Sequence, residues 1–148
     1  MKIFLDDCRQ ESFSEYNVGR VYLEQKNYRA AKDIMERMLN DKCLDKVSLN
    51  SCNLFMAHAI NGLSGTAAGR EELDYVNKYL AGCTSVEDQA AGFAMKGVAL
   101  YYLQELDSAF VYLERAHQLS NDLPTKIFAL NGLEGVATQM RRYQAAWD

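Results

Sequence analysis

"GFAMKGVALYYLQELDSAFVYLERAHQLS", residues 92–120, decides how the rest of the chain is read. It sets Gly97 in an apolar run, follows with Tyr101 and Tyr102, breaks at a short polar turn, then places alanines and leucines at helical spacing. That is the pattern of two helices joined by a tight connection. An earlier stretch, "VGRVYLEQKNYRAAKDIMERML" (18–39), overlays "KGVALYYLQELDSAFVYLERAH" (96–117). Gly19 falls on Gly97, Tyr22 on Leu100, Tyr28 on Leu106, Ala31 on Ala109, Met35 on Leu113 and Met38 on Ala116. One offset, 97 − 19 = 78, serves all six. Half of it, 39, predicts a further copy centred near His58, and Tyr143 and Ala146 fit the same places in a fourth. Recurrence at this scale means stacked like units rather than a core arranged around one site.

The local signals give the units their bounds. Ser12 and Glu15 form an S-x-x-E capping box, predicting a helix to about Lys26 with Tyr16, Val18, Gly19, Tyr22 and Leu23 on its buried side. Asn27 caps a helix over about 28–40, where Tyr28, Ala31, Ile34, Met35 and Met38 make an apolar stripe. After a linker around "NDKCLDK", residues 47–63 read as a buried helix, "SGTAAGR" as a loop, and "EELDYVNKYLAG" as a short helix closing at Gly82. Thr84 or Ser85 opens the next helix, with Ser85 and Asp88 forming a second capping box, and it is expected to run to about Leu103. The next helix, 106–119, is expected to bury Leu106, Ala109, Phe110, Leu113 and Ala116. Asn121 or Asp122 caps a seventh, with Pro124 harmless in its first turn, and "RYQAAWD" is expected to begin an eighth. The expected architecture is all-α: one domain over 1–148, an α-solenoid of about three and a half helix-turn-helix repeats at about 12–40, 45–82, 84–120 and 122–148.

Composition excludes several classes. The net charge of −4 and the absence of a basic stripe argue against nucleic acid as partner. No run approaches the ~20 apolar residues of a membrane helix. The start, "MKIFLDDCRQ", is too short in apolar residues for a signal peptide, so a cytoplasmic or nuclear protein is expected. Cys8, Cys43, Cys52 and Cys83 match no zinc or redox spacing and read as four small, mostly buried thiols. Cys43, Cys52 and His58 are too loosely spaced for a metal site, and none is expected.

The repeat resembles the tetratricopeptide repeat (TPR). That family sets a small residue in the first helix, a large one three later, and tyrosine-like and alanine positions in the second, so that two helices approach closely. The first and third copies match well. The second carries Ala57 to Ala59 in place of the glycine, Gly132 and Gly135 do not register, and Lys96 stands where an apolar residue is usual. More narrowly, "YLEQKNYRAAKDIMERML", an apolar helix ending in "LSG", and the opening stretch are similar to the N-terminal part of Cdc23-type subunits of the anaphase-promoting complex. That resemblance implies N-terminal repeats that homodimerise in a cell-cycle ubiquitin ligase, and a chain that is the N-terminal fragment of a longer repeat protein. In the TPR family the first helix of each pair lines the concave face. Carried over by position, the partner-binding residues are Tyr16, Arg20, Leu23 and Glu24 in the first repeat and Ala94, Val98, Tyr101 and Tyr102 in the third.

No chemistry competes with binding. G-x-x-x-x-G-K-[ST], H-E-x-x-H and G-x-S-x-G are absent, and "GLSGTAAGR" lacks the lysine and preceding strand of a phosphate loop. His58 and His117 lie on different helices with no local base or nucleophile, and the carboxylates of "EELD" suit a helix start. The expected function is a non-enzymatic protein-interaction scaffold, with no cofactor and no small-molecule substrate, that self-associates as a homodimer. The alternative is a small TPR adaptor or secretion chaperone that holds an extended client peptide in its groove.

Overall fold

The computed structural model describes residues 2–147, with side chains from residue 7 onward. Among them are seven α-helices and no strand: α1 Lys2–Glu24, α2 Tyr28–Leu39, α3 Lys46–Ser64, α4 Gly69–Gly82, α5 Val86–Tyr102, α6 Leu106–Leu119 and α7 Leu123–Trp147. They form two compact units, Met1–Tyr79 and Leu80–Asp148.

The 78-residue repeat is carried by the backbone as well as by side chains. The Asn27 N–H donates to the Tyr22 carbonyl at 2.8 Å, and the Glu105 N–H to the Leu100 carbonyl at 2.9 Å. Lys26 and Gln104 both adopt a left-handed conformation, at φ 61° and 64°. One such residue reverses the chain in two steps, so each pair becomes a tight antiparallel hairpin.

In the first unit the hairpins close over Tyr16, Ile34, Met35, Met38, Leu44, Cys52, Met56 and Ile60. Asn27 caps α2 by accepting from the Ala30 N–H, as its position predicts. Asp45, in the expected linker, caps α3 by accepting from the Ser48 N–H at 3.1 Å. The Asn50 amide donates to the Tyr79 carbonyl at 3.0 Å, tying α3 to α4. Two expectations are corrected. Ser12 caps nothing: α1 begins ten residues earlier, at Lys2, and the Ser12 hydroxyl donates to Asp41 Oδ2 at 2.7 Å. "SGTAAGR" is no open loop either. Gly65, at φ 51°, ends α3 and starts a 3₁₀ turn over Gly65–Ala68 that runs directly into α4.

In the second unit α5, α6 and α7 pack together. Ser85 caps α5 by accepting from the Asp88 N–H at 3.1 Å, as expected. Glu87 reaches the α6–α7 turn, accepting from the Ser120 hydroxyl at 2.9 Å and from the Asn121 N–H. Asp122 accepts from the Thr125 N–H at 3.1 Å and so caps α7. Leu113, fully buried, is wedged between two glycines: a Cβ on Gly97 would stand 2.4 Å from Leu113 Cγ, and one on Gly132 2.8 Å from Leu113 Cδ2. This is why Gly132 does not register with Gly19 and Gly97. Those two face their own hairpin partner sixteen residues on, whereas Gly132 seats α7 on the preceding helix and Gly135 lies against the Tyr101 ring. Two more corrections follow. Phe110, expected in the core, is 40% exposed on the outer side of α6. The break before "RYQAAWD" does not exist. No glycine or proline interrupts residues 136–147, so α7 runs on to Trp147, and the Tyr143 hydroxyl donates to Gln104 Oε1 at 2.7 Å.

The two repeat glycines should differ in their tolerance of alanine. At Gly19 the nearest atoms to a new methyl are Met35 Cε at 2.6 Å and Ile34 Cγ2 at 2.9 Å, and the end of a methionine moves cheaply. At Gly97 they are the branch point of Leu113 and, at 3.2 Å, the Ala109 carbonyl. We expect Gly19→Ala to change stability by less than about 1 kcal/mol, because helix propensity offsets the crowding. Gly97→Ala should cost about 1–3 kcal/mol by overpacking, read as the shift in urea midpoint.

Candidate functional site

The eight positions carried over from the repeat divide into accessible and buried sets. In the first unit Arg20 and Glu24 are exposed on α1 and Leu23 is half-buried, but Tyr16 is buried. The Tyr16 ring lies 5.9 Å from that of Phe55 and 6.1 Å from that of Phe13, with the Arg20 guanidinium 5.9 Å from its centroid. Desolvation raises its phenol pKa. In the second unit Ala94 and Val98 are buried, Ala94 against Ala116 and Ala129. Tyr101 and Tyr102 are half-buried, their rings 5.8 Å apart. A partner can therefore reach Arg20, Leu23 and Glu24 on one unit and Tyr101 and Tyr102 on the other. Tyr16, Ala94 and Val98 are buried in the packing of their own units.

Three features were not anticipated. The first is Glu72. It lies in the first turn of α4, where a carboxylate suits the helix dipole, yet it is fully buried. Its Oε1 accepts from the Asn61 amide at 3.3 Å, and Oε2 meets no donor among the described residues. Burial pushes its pKa up to about 8, so it is a neutral acid at pH 7. Burial also pulls His58, on the neighbouring α3, down to about 4. In both residues burial is the first cause of the shift, and in both it favours the neutral form.

The second is the pairing of Cys8 with Cys43 in a disulfide, with Cα atoms 5.7 Å apart. The expectation of four free thiols fails here. A sequence separation of 35 carries no information on distance, and the early start of α1 brings Cys8 beside the α2–α3 connection. Cys43 is thereby unavailable to Cys52 and His58. Burial raises the Cys52 thiol to about 12, which makes it inert. No group of three His, Cys, Asp or Glu among the described residues could hold a metal ion.

The third is an open groove of about 350 Å³ along α6, lined by Asp107, Ser108, Val111, Tyr112 and Arg115. Beside it the α5–α6 hairpin interleaves cations and rings. Lys96 Nζ stands 4.6 Å from the Tyr112 centroid, that ring lies 5.7 Å from Phe93, and Arg115 Cζ stands 5.4 Å from the Phe93 centroid. This accounts for Lys96 at a normally apolar place: its stem packs while its charge rests on an aromatic face. No described helix is long and apolar enough to cross a membrane.

No protein-family model matches the chain. No curated protein matches it either. Among solved structures, the NMR structure of the first TPR domain of the human RPAP3 protein is similar: TM-score 0.67 at 19% identity, covering 93% of this chain and 98% of that one. At that identity the likeness shows the fold, which is a TPR-like, all-α helical repeat.

Proposed function

We propose that the chain is a non-catalytic protein-interaction module whose partners include a second copy of itself. The observation that carries this reading is the amount of apolar side chain left on helix surfaces. Val18 and Val21 on α1, Phe110 and Val111 on α6, and Ile127 and Leu130 on α7 are each about half exposed. Where such side chains adjoin on one face they form a patch of the kind that marks a contact surface. Arg20, Glu24, Tyr101 and Tyr102 add accessible polar and aromatic anchors of the kind that partners use. The stretches similar to Cdc23-type subunits support the same reading, with a place in a larger assembly such as the anaphase-promoting complex. The TPR-like fold itself hosts many partners and does not choose among them.

Light scattering across a hundredfold dilution tests it. One chain is 16.8 kDa, so a dimer is 2 × 16.8 = 33.6 kDa. A mass that moves toward 33.6 kDa as concentration rises is the expected result. A mass of 16.8 kDa throughout removes self-association and leaves capture of an extended peptide, to be tested on Tyr101→Ala and Tyr102→Ala.

A further inference from the structure

We propose that the outer face of α6 is a self-complementary docking surface, on which α6 of a second copy lies antiparallel. The inference rests on the self-association reading above and gives it a location.

The face is written symmetrically about Val111. Asp107 stands four residues before it and Arg115 four after, so 107 + 115 = 2 × 111. Positions four and eight apart share one side of a helix. In an antiparallel pair centred on Val111, Asp107 of each chain faces Arg115 of the other. Ser108 lies at the level of the partner's Glu114, and the two Val111 side chains meet on the twofold axis. This is the isologous pattern that a twofold interface requires. Antiparallel packing also opposes the two helix dipoles favourably.

Within one chain these groups cannot satisfy each other. Eight residues of helix separate Asp107 from Arg115 by about 12 Å. Neither makes an ion pair among the described residues, where Arg37 with Glu15 does. The groove along this face is open, Val111 is 53% exposed at its centre, and Asp107, Ser108 and Arg115 are exposed around it. Lys96, held over Tyr112, adds a second positive charge at the end that meets the other copy's Asp107. Opposite charge at opposite ends of an apolar centre selects a second α6 in reverse orientation over a uniformly charged or uniformly apolar partner. One helix pair is small beside the ~1,600 Å² of a standard stable interface. The dimer is therefore reversible, and it weakens with salt because its charges sit at the rim.

The test is a charge swap, read by light scattering over the dilution series at low and high salt. Arg115→Asp and Asp107→Arg should each raise the dimer dissociation constant about tenfold or more, since each sets like charges face to face at both ends. Asp107→Arg/Arg115→Asp together should return it to within about threefold of wild type, because the pairs re-form with reversed sign. All three variants change exposed side chains, and circular dichroism confirms the fold before the masses are compared. A wild type that dimerises but ignores both single changes would place the interface elsewhere, leaving self-association standing and this face excluded. Single variants that dissociate with no recovery in the double would also overturn the pairing. A wild type monomeric at every concentration would remove both readings.

Discussion

Replacing Glu72 with glutamine should stabilise the protein by about 4 kcal/mol at pH 8 and abolish its alkaline loss of stability. The sign follows from where the proton is held. In the unfolded chain Glu72 releases its proton near pH 4.5, but in the folded protein it keeps it until about pH 8. Its contribution is therefore fully present below pH 4.5 and is lost as pH rises to 8, at about 1.4 kcal/mol per unit. His58 acts in the opposite direction. Its folded value of about 4 lies below the ordinary 6.5, so its contribution is present above pH 6.5 and lost as pH falls toward 4. Between pH 4.5 and 6.5 the two slopes cancel, and above 6.5 only that of Glu72 remains. Wild type should show a plateau, then a fall of about 2 kcal/mol by pH 8. Glu72→Gln should instead rise up to pH 6.5 and stay level, since the glutamine carbonyl still accepts from Asn61. Urea midpoints at pH 5, 6.5 and 8 decide it. Equal wild-type stability at 6.5 and 8 would mean that water reaches the Glu72 carboxyl.

Reduction of Cys8–Cys43 should lower stability by up to about 4 kcal/mol, because a loop closed over 35 residues loses its restriction in the unfolded chain. The bond also fixes the early turns of α1 beside the α2–α3 connection, where Ser12 meets Asp41. Denaturation with and without dithiothreitol measures the effect. Cys8→Ser should match the reduced wild type and ignore the reductant. An identical midpoint for oxidised and reduced wild type would show that α1 is held by packing alone. A reducing compartment would leave this bond open to reduction by glutathione.

The repeat was legible because its determinants are local and periodic. Gly97 against Leu113, Asn27 over Ala30 and Ser85 over Asp88 each need only a residue type at a fixed short distance, and the 78-residue offset extended them from one hairpin to another. Misreadings arose where a short-range signal competed with a distant partner. Ser12 has the form of a cap, but the residues before it are already helical, so its hydroxyl is free to bond Asp41. "RYQAAWD" looks like a new start only if the seventh helix stops, and nothing in it stops a helix. Of the carried-over contact positions, Arg20 and Glu24 stay accessible while Tyr16, Ala94 and Val98 do not. Which side of a first helix faces its own hairpin and which faces the next helix is not written in a one-helix period.

By itself the sequence determined the class of fold: helices from apolar spacing, hairpins from caps and turns, and repetition from a constant offset, all set within a few residues of chain. Only the tertiary structure decided which groups lose their water. It put Glu72 inside and Phe110 outside, joined Cys8 to Cys43, and turned Asp107, Val111 and Arg115 outward together. Burial and pairing depend on what a distant part of the chain brings near, and that enters the free energy only after the helices have packed.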